Sequence, residues 1–280
     1  VRPSHLPHAV IVDCSAADDV AARSTGWLTP GLHVVTPNKR AASGPLTRWQ
    51  EIAALSRRGP TRYLGEATVG AGLPVISTLK ELLLTGDDVV AVEGVLSGTL
   101  SWIFNTWQSG EPFSSKVREA KARGYTEPDL REDLSGLDFA RKLVVLAREM
   151  GRDVSLDDVD VEDLAPGLAF GLPLEELLAG MGAVDATLSA KQLAAHDANK
   201  VLRMIGAVPE RGRLKVSLQA LSTTHPFARL DGTDNMLCFT TRRYAQRPLV
   251  VQGPGAGAEV TAGGVFGDLL RIAARLGGDV

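Results

Sequence analysis

The chain has 280 residues, 44% hydrophobic and 22% charged, with 30 Lys and Arg against 33 Asp and Glu for a formal net charge of −3. That composition excludes a disordered, collagen-like or coiled-coil chain, and the lack of a basic excess argues against a nucleic-acid partner. Length allows one large domain or two smaller ones, and 29 glycines point to tight turns or to backbone lying close to a ligand.

The run His8-Ala-Val-Ile-Val-Asp13 is apolar and ends in an acid, the pattern of a buried strand in a parallel sheet. Residues 16–28 read as a helix and 33–36 as a second strand closed by Pro37. A helix follows with Leu46, Trp49, Ala53 and Ser56 on one face, then a short strand at 62–64. Strand and helix alternate, which predicts half of a doubly wound sheet. The stretch Glu66 to Pro74 carries glycines and opens a helix near Pro74. Beyond it the pattern predicts a strand over 89–96 and helices over 97–108, 112–123 and 134–150. Residues 152–173 read as a loop or surface strand, and 174–199 as helical. Strands are expected at 201–208, 214–221, 235–243 and 249–252, and a last helix at 260–276. The expected class is therefore α/β plus α+β: a partial Rossmann-like parallel sheet followed by a mixed or antiparallel sheet.

A dinucleotide fold opens with a strand and GxGxxG at a helix N-terminus. Nothing before His8 supplies it, so the chain is expected to be a piece whose first such unit lies outside it. Gly253, Gly255 and Gly257 follow a strand and precede a helix, but the chain ends too soon for the next strand. They read as backbone contact with a neighbour or with one end of a cofactor. Cys14 and Cys238 are distant and fit free thiols in a reducing compartment. The five histidines show no zinc-ligand spacing. No apolar run approaches the roughly 18 residues of a membrane span, and the N-terminus lacks a signal-peptide pattern. A soluble cytoplasmic protein is expected by elimination.

Three clusters could carry chemistry. In Gly124–Lys142, Asp138 and Lys142 stand four apart on one predicted helical face. Asp133 and Ser135 sit near the helix N-terminus, and Pro128 fixes the backbone after Glu127. A lysine among carboxylates can exchange a proton with a substrate oxygen, or the pair can be a solvated surface ion pair. In the second cluster, Thr36-Pro-Asn-Lys39 lies past the end of a parallel strand, where ligands of open α/β sheets bind, and Asp13-Cys-Ser15 faces the same crevice. The third is Glu66 with the following turn, which reads either as a hard-cation cage or as a glycine-rich helix cap. The acidic stretch 153–163 lacks the glycine and terminal Glu of a calcium loop and reads as surface.

Taken together, VTPNK (35–39), ATVGAGLP (67–74), SGTLSWIF (97–104), GYTEPD (124–129), DLSGLDFARK (133–142) and GPGAGAEVTAGGVFGD (253–268) resemble homoserine dehydrogenase. The details TLSW, HPFARL and GPGAG resemble the C-terminal half of the bifunctional aspartokinase–homoserine dehydrogenases of the methionine-associated type. The resemblance implies NAD(P)-linked interconversion of aspartate semialdehyde and homoserine, with an N-terminal aspartokinase domain in the parent chain and a homodimer. It divides the chain into 1–65, the C-terminal half of a nucleotide-binding domain; 66–252, for substrate and dimerisation; and 253–280, a helix returning to the first. By position it implies Lys142 as general acid/base, with Asp138 and Glu127 orienting the substrate. Thr99, Tyr125 and Asp133 complete the pocket. Lys39 contacts substrate and cofactor, and Ser15 and Gly257 line the cofactor. Glu66 with the carbonyls of Val69, Ala71 and Leu73 holds a monovalent cation, usually sodium. The chain departs from the family's EPDPRDDL at Leu130 and Glu132, and Ser15 stands where Thr is frequent. Two other readings stay open: an oxidoreductase for another small amino-acid aldehyde, and an inactive dimerising piece of the parent enzyme.

Overall fold

The computed structural model describes residues 5–278. In chain order its elements are β1 (Val10–Val12), α1 (Asp18–Ala21), α2 (Ser24–Leu28), β2 (His33–Val35), α3 (Arg40–Ser43), α4 (Leu46–Arg58), β3 (Tyr63–Leu64), α5 (Val75–Leu84) and β4 (Val89–Val95). Then come α6 (Gly98–Thr106), α7 (Phe113–Ala122), α8 (Leu130–Leu134), α9 (Leu137–Glu149), β5 (Val159–Val161), α10 (Leu174–Ala179) and α11 (Gly182–Asp197). The last are β6 (Lys200–Pro209), β7 (Leu214–Ser222), β8 (Asp234–Thr241), β9 (Leu249–Pro254) and α12 (Ala258–Arg275). They form two compact units. One holds the chain up to Asp88 with Val144–Asp158 and the segment from Ala256; the other holds Val89–Leu143 and Val159–Gly255. The first unit thus runs past residue 65, where the sequence reading divides the chain. Among the described residues no helix is long and apolar enough to cross a membrane.

The first unit is built on a parallel sheet in the order β1-β2-β3, with Val10 opposite His33 and Val34 opposite Tyr63. Short β-branched strands suit a sheet buried by helices. α12 packs Val265 and Ile272 against Val35 and Ala67, with Val10, Leu64 and Leu269 alongside. The glycines of the 67–74 turn have a specific cause. A Cβ on Gly72 would stand 2.1 Å from the Val260 carbonyl, and one on Gly264 would stand 3.1 Å from Gly72 Cα. Turn backbone and helix backbone touch there, and only glycine permits it. The helix expected over 16–28 is two short ones, because the Ser24 hydroxyl donates to the Ala21 carbonyl (2.8 Å) at the break.

The second unit carries a six-stranded sheet in the order β5-β7-β6-β4-β8-β9. Its pairs are antiparallel except β5–β7, so the sheet is mixed. The acidic region expected as a loop or surface strand supplies that parallel edge strand, β5. The start of α9 lies on β6: a Cβ on Gly206 would stand 2.3 Å from the Phe139 ring. The single helix expected over 134–150 breaks between α8 and α9. Gly136 adopts φ +70°, and the Ser135 hydroxyl accepts the Leu137 N–H (3.3 Å) to start α9. The apolar period continues across this break, which is why periodicity alone conceals it. The helical stretch over 174–199 likewise divides after Ala179.

Candidate active site

In the second unit, β4 runs out at Val95 and Ser97 caps α6, its hydroxyl accepting the Leu100 N–H (3.2 Å). The Leu96 carbonyl just before this cap accepts from Lys142 Nζ at 2.7 Å. Lys142 also pairs with Asp138 Oδ2 at 2.8 Å, one turn earlier on α9. The two side chains are 12% and 9% exposed. The pair is therefore not the solvated surface contact that the spacing left open. Two of the three ammonium protons have protein acceptors, which leaves one for a ligand oxygen.

The segment 124–129 is fastened beside α6 at successive points. Thr99 Oγ1 donates to the Tyr125 carbonyl (2.6 Å), and the Glu127 N–H donates to Asp133 Oδ2 (2.9 Å). Lys121 Nζ donates to the carbonyls of Glu127 (3.2 Å) and Pro128 (2.9 Å). Asp129 caps α8 through the Arg131 N–H (2.9 Å), and its other oxygen accepts the Gly171 N–H (2.8 Å). The Tyr125 ring leans on Trp102 at 5.5 Å, and the Arg123 guanidinium stacks on the same indole at 5.3 Å. Thr99, Tyr125, Glu127, Asp133, Asp138 and Lys142 thus lie within one unit. Sequence reasoning missed Leu96 and Lys121, because both act on or through main-chain carbonyls that no residue pattern encodes.

Asp133 is 5% exposed, and burial pushes its carboxyl up to about 7, with Asp138 and Glu127 adding repulsion. The Glu127 N–H and the Thr99 side chain favour the carboxylate, and burial outweighs them. The folded state keeps this proton where the unfolded chain has lost it. Stability therefore falls as pH rises from the ordinary carboxylate range towards 7, by about 1.4 kcal/mol per pH unit at most. Asp133→Asn imitates the protonated acid and removes that slope. Denaturant unfolding at pH 5 and pH 8 should show the asparagine variant losing less stability than the parent between the two. Parallel losses would refute the buried-acid assignment.

In the first unit, Asp13 at the end of β1 organises the loop after β2. Its main-chain carbonyl accepts from Thr36 Oγ1 (2.7 Å), and its carboxylate accepts from Ser15 Oγ (2.6 Å) and Asn38 Nδ2 (3.1 Å). Lys39 follows at the start of α3, its carbonyl accepting the Ser43 N–H (2.8 Å). Gly257 opens α12 at φ +127°, a conformation closed to other residues, which leaves bare backbone at the helix N-terminus. These strand ends and this glycine fit a nucleotide cradle.

The Glu66 carboxylate makes the contacts of a helix cap. Oε1 accepts the N–H of Ile76 (2.7 Å), Oε2 accepts that of Ser77 (3.1 Å), and Arg271 Nη1 pairs with Oε2 at 2.8 Å. It caps α5 and is neutralised by an arginine 205 residues away. Asp268, whose own carboxyl burial raises, accepts the Glu66 N–H (2.8 Å) and holds the same arginine. Among the described residues no cluster of three or more His, Cys, Asp or Glu could hold a metal. The carbonyls of Val69, Ala71 and Leu73 lie in the turn, with Ala71 at φ +53°.

Comparison with known proteins identifies the family. A family model described as homoserine dehydrogenase matches residues 74–270, and one described as its NAD-binding domain matches residues 3–66. A bifunctional aspartokinase/homoserine dehydrogenase of carrot (Daucus carota) is 50% identical over 99% of this chain and 30% of its own length. The chain thus spans under a third of that relative. A homoserine dehydrogenase of Emericella nidulans is 44% identical over 96% of this chain and 76% of its own length. A solved structure of a Candida auris protein of unknown function superposes with a TM-score of 0.87 at 40% identity, covering 96% of this chain and 77% of that one. Two adjoining family matches and a relative 44% identical, covered over three quarters of its length, show it plainly: the chain belongs to the homoserine dehydrogenase family.

Proposed function

We propose that the protein is an NAD(P)-dependent homoserine dehydrogenase that interconverts L-aspartate 4-semialdehyde and L-homoserine. The observation that carries this reading is the near-buried Lys142, held by Asp138 and the Leu96 carbonyl with one proton left over. Bound nicotinamide nucleotide supplies or accepts the hydride. Lys142 gives a proton to the aldehyde oxygen during reduction and takes it from the alcohol during oxidation. Asp138 orients the ammonium. Glu127, on a segment pinned by Thr99, Lys121 and Asp133, receives the substrate amino group. Thr99, Tyr125 and Asp133 shape the pocket. Ser15, Lys39 and Gly257 serve the nucleotide, with Lys39 also reaching substrate.

In this reading the chain of 1–65 with 253–280 binds nucleotide, and 66–252 binds substrate and dimerises. A monovalent cation, usually sodium, is held by Glu66 with the carbonyls of Val69, Ala71 and Leu73. A homodimer in the cytoplasm completes the proposal. So does an N-terminal aspartokinase domain in the parent chain, supported by the carrot relative's name and greater length. The test is an assay of the full-length protein with L-homoserine and either NADP+ or NAD+. Homoserine-dependent reduction of one of them is expected, with the reverse reaction on the semialdehyde. No turnover with either nucleotide would refute the reading.

A further inference from the structure

In the second unit, α7 ends at Ala122. Gly124, at φ +73°, turns the chain so that the Tyr125 N–H donates to the Ala120 carbonyl (3.1 Å). Arg123 is the last residue before that turn. A cation at a helix C-terminus complements the helix dipole, and an exposed arginine beside Glu119, one turn earlier, is an ordinary surface pair. Neither accounts for what the guanidinium lies on. Its Cζ stands 5.3 Å from the centre of the Trp102 ring, on α6, and Lys116 Nζ stands 5.9 Å from the same ring. The Glu119 carboxylate holds both cations. Oε1 accepts from Arg123 Nε (3.0 Å), and Oε2 accepts from Lys116 Nζ (3.0 Å). One carboxylate thus ties two cations of the α7 end to one indole of α6.

Tyr125 completes the cluster. Its ring leans on Trp102 at 5.5 Å, tilted by 54°. The Glu119 carboxylate, and after it the Tyr125 side chain, raises the Arg123 pKa above that of a free arginine. The indole is nearly buried, whereas Tyr125 is 39% exposed. The tyrosine is therefore braced and still open to a ligand. Thr99 fixes only its main-chain carbonyl. A main-chain anchor leaves the side-chain rotamer undetermined, and the bracket of Trp102 and Arg123 selects it. Glu127 stands two residues further along the same segment.

We propose that Arg123 is a positioning residue for the substrate: it clamps the Tyr125 side chain against Trp102 and so fixes the segment that carries Glu127 to the substrate amino group. The proposal rests on the homoserine reading of this site. Arg123 touches neither substrate nor nucleotide and acts through Tyr125. A planar guanidinium suits the task, because it lies on an aromatic face while its edge bonds a carboxylate.

The test is steady-state kinetics of the full-length protein with L-homoserine. In R123A the homoserine KM should rise by about two- to fivefold, the size of one cation–π contact. Its kcat and nucleotide KM should match the parent's, and its melting temperature should stay within about 2 °C. R123K keeps a cation within reach of Glu119 and the indole and should recover most of the loss. E119Q releases both cations, so its effect on the homoserine KM and that of R123A should fail to add in the double variant. An unchanged homoserine KM in R123A would overturn the proposal. So would full additivity of the two substitutions, or a rise in KM that comes with lost melting temperature and is not recovered in R123K, the mark of a merely structural role. No homoserine-dependent turnover in the parent would overturn the functional reading, and the proposal with it.

Discussion

Alanine in place of Lys142 is expected to lower turnover by about 10²–10⁴-fold in both directions, the range for removal of a positioned general acid/base. Substrate affinity should change much less, since Glu127 and the pinned 124–129 segment remain. The geometry gives the reason. One ammonium stands at 2.7 Å from the Leu96 carbonyl and 2.8 Å from Asp138, and both acceptors belong to rigid neighbours. An ammonium so held presents its remaining proton in one direction, which is what an alkoxide developing on the substrate requires. Alanine also removes the Lys142 ammonium from beside the nearly buried Asp138, which adds a structural loss to the chemical one. Lys142→Arg separates the two effects. Arginine keeps the charge and the partner but holds its proton at any working pH. It should retain melting temperature and homoserine affinity and still lose turnover. Steady-state kinetics of the two variants, with circular dichroism as the control for folding, decide the matter. Turnover near that of the parent in the arginine variant would show that Lys142 acts only as a fixed charge.

The parts of this site that could be read in the sequence are those governed by local spacing. Asp138 and Lys142 share a helical face because they stand four apart, and strands such as Val10–Val12 announce themselves by β-branched apolar runs. The turn 67–74 shows its glycines but not their purpose, since the backbone of Gly72 meets Val260 nearly two hundred residues later. The same distance hides Arg271 from Glu66. A carboxylate before a glycine-rich turn fits a cation cage and a helix cap equally well, and the arginine that pairs with it comes from α12. Main-chain acceptors are more hidden still. The carbonyls of Leu96, Glu127 and Pro128 fix Lys142 and Lys121 without leaving any trace in residue identity. The break at Gly136 was within reach, because a glycine inside an apolar period is a warning. Yet Leu134, Phe139 and Leu143 continue the pattern across it, and the cause is tertiary: a side chain at 136 would stand 2.7 Å from Val161.

The largest stability effect is expected at Arg203, a residue of β6 with no part in the chemistry. It is 5% exposed, and burial lowers its pKa to about 10, so it stays charged at neutral pH. Its guanidinium donates to four carbonyls: Phe227 (3.1 Å), Phe104 (3.1 Å), Leu202 (2.8 Å) and Ala228 (3.1 Å). These come from the C-terminal end of α6, from β6 itself, and from the turn Pro226–Arg229 within HPFARL, which His225 caps through the Phe227 N–H (3.2 Å). Helix ends leave carbonyls without intrahelical partners, and here one planar cation satisfies such a carbonyl together with those of the turn. Arg203→Met keeps much of the volume and removes every donor. Several buried acceptors are then left bare, at a cost of about 3–5 kcal/mol, or roughly 10 °C in melting temperature. Lysine at the same position should recover little, because a single ammonium cannot span three segments. The effect should extend to function, since α6 carries Thr99 at its other end. A destabilised α6 loosens the anchor on the Tyr125 carbonyl, so the homoserine KM should rise in Arg203→Met while the nucleotide KM holds. Thermal unfolding followed by circular dichroism, paired with initial rates at temperatures where the variant is folded, tests both parts. A melting temperature within about 2 °C of the parent would mean that water replaces the guanidinium without loss, and that the turn does not depend on it.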